Sequence, residues 1–141
     1  MLDLTAPILP GHSATGIRLG QPIAEVLLQA PVPVIERLSA LTVYRFGAVW
    51  VWAQGGGVHQ IGVFDGYTGT LLSSVCLGMS LVEVQRRMGP VVEEWDDTLM
   101  VEGSYGWCFN TTAWDNGWLV EQNLEARLVT ICLNTSKQGE R

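Results

Sequence analysis

The chain has 141 residues, 48% hydrophobic and only 16% charged, a composition that can bury a substantial core and excludes disorder over most of its length. Its net charge of −6 repels phosphate backbones and excludes the usual nucleic-acid binders. The length fits one domain.

Residues 1–16 are rich in Pro, Gly, Ser and Thr and read as a loosely structured lead-in. This opening shows neither the basic segment nor the apolar run of a secretory signal, so a cytoplasmic protein is expected. A short helix is predicted from Pro22, a favoured first-turn residue, with Ile23, Val26 and Leu27 on one face and Pro31 and Pro33 beyond its end. Residues 35–41 read as a second short helix burying Leu38 and Leu41. Three strands follow at 41–46, 48–53 and 58–64, the last two joined through Gln54-Gly55-Gly56-Gly57. Within Val49-Trp50-Val51-Trp52 the valines take one side of the sheet and the tryptophans the other.

Asp65-Gly66-Tyr67-Thr68-Gly69 reads as a turn, and 71–76 as a bridging strand. Ser80 with Glu83 three residues on forms a capping box, Leu81, Val84 and Met88 share a helical face, and Gly89-Pro90 stops the helix. The acidic run Glu93-Glu94-Trp95-Asp96-Asp97 precedes a second meander, with strands at 99–102, 105–110 and 126–133. Its connection at 111–125 contains Trp114, Asp115 and Trp118. The tail from Asn134 is polar and expected to fray.

The chain nearly says one thing twice. Leu19-Gly20-Gln21-Pro22-Ile23-Ala24-Glu25-Val26 returns as Leu77-Gly78-Met79-Ser80-Leu81-Val82-Glu83-Val84, and each copy runs on into a meander. The expected fold is therefore α+β: two tandem helix-plus-antiparallel-sheet modules, about 16–72 and 73–133, forming one continuous sheet with short helices on one face. Two copies of one module build a long surface more naturally than a single catalytic pocket.

No convincing catalytic constellation is visible. His12 lies in the lead-in, and His59 reads as a surface histidine on a strand. Cys76, Cys108 and Cys132 are odd in number, lack C-x-x-C spacing and lie in or beside apolar runs, which suits buried, reduced thiols. The acidic run lacks the ligand spacing of a calcium loop and reads as a solvated loop or an acidic docking patch. The triple glycine is followed by a strand rather than a helix, so it is a hairpin turn and not a phosphate loop. The expectation is a binder rather than an enzyme, with no cofactor and no metal.

Six tryptophans supply the candidate contact surface. Trp107, between Tyr105 and Phe109, reads as core. Trp50 and Trp52 lie either on an open sheet face, with Tyr44 nearby, or in a strand buried on both sides. Trp95, Trp114 and Trp118 sit among acidic residues in loops, as interaction anchors or as lids folded over the core.

The repeat segment from Leu77 to Val84, closed by Met88-Gly89-Pro90, resembles the helix start of the SmpA/BamE and β-lactamase-inhibitor-like families. The wider pattern adds Val63-Phe64-Asp65-Gly66-Tyr67-Thr68-Gly69-Thr70-Leu71 and Gly106-Trp107-Cys108-Phe109. It is similar to small immunity proteins encoded beside polymorphic bacterial toxins, including contact-dependent and type VI-delivered ones. The resemblance implies that the sheet and loops clamp a cognate protein toxin, whose active-site surface would be basic to suit this acidic chain. The candidate toxin-binding residues are Trp50, Trp52, Tyr67, Trp95, Asp96, Asp97, Trp114, Asp115 and Trp118. Alternatives are an envelope assembly module of SmpA type and a small ligand-binding protein with a pocket beside the connection after Thr111.

Overall fold

In the computed structural model, residues 2–30, 32–95, 98–112 and 124–134 are described, with the side chains of 94 and 95 left aside. The protein is α+β. In chain order a small hairpin comes first, β1 (Ser13–Ala14) and β2 (Ile17–Arg18), then α1 (Ile23–Gln29). Four strands follow: β3 (Val34–Arg37), β4 (Thr42–Phe46), β5 (Val49–Gln54) and β6 (Gly57–Val63). The second half repeats the pattern with α2 (Leu81–Met88), β7 (Val91–Trp95), β8 (Thr98–Val101), β9 (Trp107–Thr111) and β10 (Leu128–Leu133).

Eight of the strands form one antiparallel sheet in the order β3-β4-β5-β6-β10-β9-β8-β7. Each half is thus a helix followed by a four-strand meander, and the halves join where β6 meets β10. The register reveals an internal two-fold. Val49, Trp50 and Val51 pair with Val63, Gly62 and Ile61 in the first half, as Trp107, Cys108 and Phe109 pair with Leu133, Cys132 and Ile131 in the second. At the seam Gly62 faces Cys132, so the axis passes between two equivalent residues.

The repeated sequence has a physical task. Gly20 and Gly78 both adopt the left-handed backbone, φ 87° and 88°, which favours glycine. From there Gly20 N–H donates to the Val58 carbonyl and Gly78 N–H to the Leu128 carbonyl. Val58 N–H returns a bond to Gln21, and Leu128 N–H to Met79. Ile23 N–H then reaches Gly56, and Leu81 N–H reaches Ala126. The motif clamps each helix start to the beginning of the innermost strand of its own half, satisfying helix donors that have no intrahelical partner. Ser80 adds a cap, its Oγ accepting from Glu83 N–H at 3.4 Å, while the Glu83 carboxylate pairs with Arg86 and Arg87 instead of closing the box.

One sheet face packs on the helices. Val26, Leu81 and Val84 join Val49, Val51, Ile61, Val63, Phe109, Ile131 and Leu133 in a single core. Tyr44 pairs with Val51 and so lies on this helix-facing side, not beside the tryptophans as expected. Leu27 is 39% exposed, so α1 buries less than its sequence pattern suggests.

Three other expectations are corrected. Residues 34–37 form strand β3 rather than a helix, and Leu38 is exposed. The acidic run begins inside strand β7 rather than in a loop. The region 71–76 forms a turn with isolated bridges, Leu71 to Val75 and Leu71 to Ile8, in place of a strand. The lead-in is also packed: Ile8 and Ala14 are buried, and Ile8 N–H donates to Thr70 while Gly11 N–H donates to Gly106.

Candidate functional site

The pleat of β5 turns Val49 and Val51 into the core and sends Trp50 and Trp52 to the opposite face. Cross-strand pairing extends that face. Trp52 lies opposite Val43 and Gln60, and Trp50 opposite Arg45 and Gly62. The rings form a cluster: Trp50 and Phe64 centroids are 4.5 Å apart, and Trp50 and Trp52 centroids 5.9 Å, both tilted. The Arg45 guanidinium sits 4.5 Å from the Trp50 ring and forms an ion pair with Glu36 on β3.

Glycine at 62 makes the cluster possible. A Cβ there would lie 2.9 Å from Trp52 Cζ3 and 3.2 Å from Phe64 Cε1, so any side chain would lift the indole off the sheet. Trp50, Trp52 and Phe64 are each half-buried, with the rest of their rings facing solvent. Offset aromatic rings with a stacked guanidinium are rigid and cost little entropy on binding, which suits protein recognition.

This face runs to an edge that the sequence pattern did not disclose. Strand β3 pairs only with β4, and all four of its residues are exposed. Val34 is 65% and Ile35 51% exposed, and Leu28 and Val32 just before them are 88% and 96% exposed. An apolar edge strand with unpaired backbone groups is a template for an added strand. The Glu36–Arg45–Trp50 chain links that edge to the aromatic face.

The remaining candidate residues fall differently. Tyr67 belongs to the core, 3% exposed: its hydroxyl donates to the Ala6 carbonyl at 2.8 Å and accepts from Thr15 N–H at 3.0 Å. It pins the N-terminal segment and presents no ring for a partner, because its side chain turns inward while Asp65, Gly66 and Thr68 around it stay exposed. Trp95 is placed at the end of β7 as backbone only. Asp96, Asp97, Trp114, Asp115 and Trp118 lie outside the described residues. Trp107 is buried as expected, stacked on Phe109 at 5.4 Å and donating through Nε1 to Ser104 Oγ at 2.7 Å. Tyr105 precedes β9 and is 49% exposed, so it does not share that buried position.

Tyr67→Phe is expected to cost about 1–3 kcal/mol, because it leaves the buried ends of two hydrogen bonds unsatisfied. Burial raises the Tyr67 pKa above the ordinary 10.0, against a lowering by the Thr15 hydrogen bond. The unfolded chain therefore loses this proton first. The stability Tyr67 contributes by this route is complete below about pH 10 and disappears as pH rises through the folded value. Urea melts of both proteins across the alkaline range check this, with the gap between them narrowing above pH 10.

A second concavity, about 630 Å³, lies at the junction of the halves, between Asp65–Thr68, Leu77–Gly78 and Arg127–Val129. Arg127 Nη1 donates to the Gly78 carbonyl at 2.8 Å on its wall. No group of three or more potential metal-ligating side chains occurs among the described residues. No described helix is long and apolar enough to cross a membrane.

No protein-family profile matches this chain, and no curated protein matches its sequence. Among solved structures it is similar in fold to the uncharacterized protein yfeY from Escherichia coli, with a TM-score of 0.61 at 11% identity. The likeness covers 92% of this chain and 99% of that one. At this identity the likeness is one of fold alone.

Proposed function

We propose that this protein is an immunity-type inhibitor, a cytoplasmic binding module that covers the active site of a cognate protein toxin. The observation that carries the reading is the half-exposed Trp50–Trp52–Phe64 cluster on the face opposite the helices, continued by the apolar edge of β3. Inhibition would be steric. An extended segment of the toxin adds to β3, while the aromatic face occludes its substrate entrance. The net charge of −6 favours a toxin whose active-site surface is basic. The resemblance of the repeat to inhibitor and immunity proteins points the same way. Trp95, Asp96, Asp97, Trp114, Asp115 and Trp118 remain proposed contacts on their sequence alone.

A tagged pull-down from the source organism, washed at high salt, should retain one near-stoichiometric partner carrying a toxin domain. Trp50→Ala should then weaken that complex at least ~30-fold, the loss expected of an aromatic hot spot. Circular dichroism checks that the sheet survives. Unchanged affinity in a folded Trp50→Ala and in Ile35→Asp would place the contact elsewhere. The cleft beside Arg127 favours a second reading, a small ligand carrier, which a co-purifying small molecule and no protein partner would support.

A further inference from the structure

The two-fold of the sheet places Cys108 and Cys132 directly opposite each other on β9 and β10. Both project to the face away from the helices, since their strand neighbours Trp107, Phe109, Ile131 and Leu133 fill the core. Asn134 N–H donates to the Gly106 carbonyl at 3.1 Å, which marks the pair two residues further along the register as a hydrogen-bonded one. By the alternation of an antiparallel ladder, Cys108 and Cys132 also form a hydrogen-bonded pair, whose Cα atoms stand about 5.5 Å apart. That spacing lies inside the Cα range of about 4.4–6.8 Å that a disulfide spans, while the Cβ atoms, about 5.5 Å apart in a hydrogen-bonded pair, must draw together by about 1 Å for the bond to close. Asn134 Nδ2 approaches Cys108 Sγ at 3.9 Å. Cys76 sits apart, on the turn before α2.

We propose that Cys108 and Cys132 are a redox-active dithiol that closes into a cross-strand disulfide by exchange with a low-molecular-weight disulfide such as oxidised glutathione. The Cys132 thiolate attacks one sulfur of the small disulfide, forming a mixed disulfide and releasing one small thiolate. The Cys108 thiolate then attacks the Cys132 sulfur, forming the internal bond and releasing the second small thiolate. The protein dithiol is oxidised by two electrons, the small disulfide is reduced to two thiols, and the two protein thiol protons pass to them. The hydrogen bond from Cys108 holds the Cys132 thiol below its ordinary 9.0 despite burial, which favours the thiolate that begins the exchange. In a reducing compartment the pair stays as thiols. In an oxidising one it ties together the two strands flanking the long connection.

Both sulfurs are buried, so exchange is best read through refolding, which removes any barrier of access. A Cys76→Ser chain is unfolded, reduced, and refolded in glutathione buffers from fully reduced to millimolar oxidised, then alkylated and mapped by mass spectrometry. The expected product in the oxidised buffers is a 108–132 link that outnumbers glutathione adducts ~10-fold or more. Its urea midpoint should lie above that of the same chain refolded in reduced buffer. In the chain that retains Cys76, the 108–132 link should still exceed the 76–108 and 76–132 links. A folded chain that keeps both thiols, collects glutathione adducts without an internal link, or gives the three pairings equally would overturn the proposal.

Discussion

Phe109→Ala should cost about 3–5 kcal/mol, among the largest losses expected from a single truncation in the sheet. Phe109 is fully buried and stands in a row that crosses six strands: Phe46, Val49, Val63, Ile131, Phe109 and Leu99, each opposite the next. It also carries the stack with Trp107. Removing the ring opens a void where the neighbours are strand-bound and cannot collapse inward. The internal two-fold supplies the control. Val51 occupies the equivalent position in the first half, and Val51→Ala removes only two carbons, roughly 1.5–2 kcal/mol at about 0.8 kcal/mol per buried methylene. Urea titrations of both variants should show that order with similar slopes. A Phe109 variant no weaker than the Val51 one would mean that the second half is loosely packed.

Gly106→Ala is expected to release the N-terminal segment while leaving the sheet standing. Gly106 has φ 87°, and a Cβ there would fall 2.4 Å from Gly11 N and 2.8 Å from Gly11 Cα. Those are backbone atoms and have no rotamer to yield. The strained backbone alone costs about 1–2 kcal/mol. Displacing residues 2–20 would add the exposure of Ile8 and Ile17, each about 1.5–3 kcal/mol of apolar burial. The signature is local: the Gly11 and Ile8 amides should lose hydrogen-exchange protection, and proteases should cut within 2–20, while β5, β6, β9 and β10 stay protected. Continued protection of Gly11 would show that the segment tolerates the methyl group.

Much of the architecture was legible in the sequence, for reasons the structure makes explicit. Gly20 and Gly78 recur because both helix starts need the same left-handed turn before the same clamp. The Val-Trp alternation of β5 reads directly as two faces because only one of them meets the helices. The two strands of the eight-stranded sheet that the sequence pattern does not mark, β3 and β7, are its two edges. An edge strand is not held to an alternating pattern by burial on one face, so β3 exposes all four residues and β7 carries Glu93 and Glu94. Helical spacing of Leu38 and Leu41 then outweighed Val34-Ile35, the β-branched pair that marked the strand. The lead-in misled in another way: its Pro, Gly and Ser content hid Ile8, whose burial depends on contacts with residues far along the chain.

Of the candidate contacts, sequence periodicity set Trp50 and Trp52 on one side of β5 and left open whether that side is exposed or covered; packing of Val49 and Val51 against the helices puts the tryptophans on the opposite face. Tyr67 sits in a glycine-flanked turn, a setting that usually leaves an aromatic ring exposed. Nothing local signals that its hydroxyl bridges Ala6 and Thr15. The β3 edge was invisible as a surface until the strand itself was.

The tenth strand in chain order occupies the middle of the sheet. β10 lies between β6 and β9, and it alone joins the two meanders by strand pairing. While a ribosome is still making residues 128–133, the earlier strands can form only two separate ribbons with bare inner edges. Those edges carry Val58, Ile61 and Val63 on one side and Trp107 and Phe109 on the other. A nascent chain is therefore most exposed to mispairing until β10 has emerged. A premature stop ahead of Leu128 would not trim a tail; it would remove the keystone and leave two sticky fragments on one polypeptide.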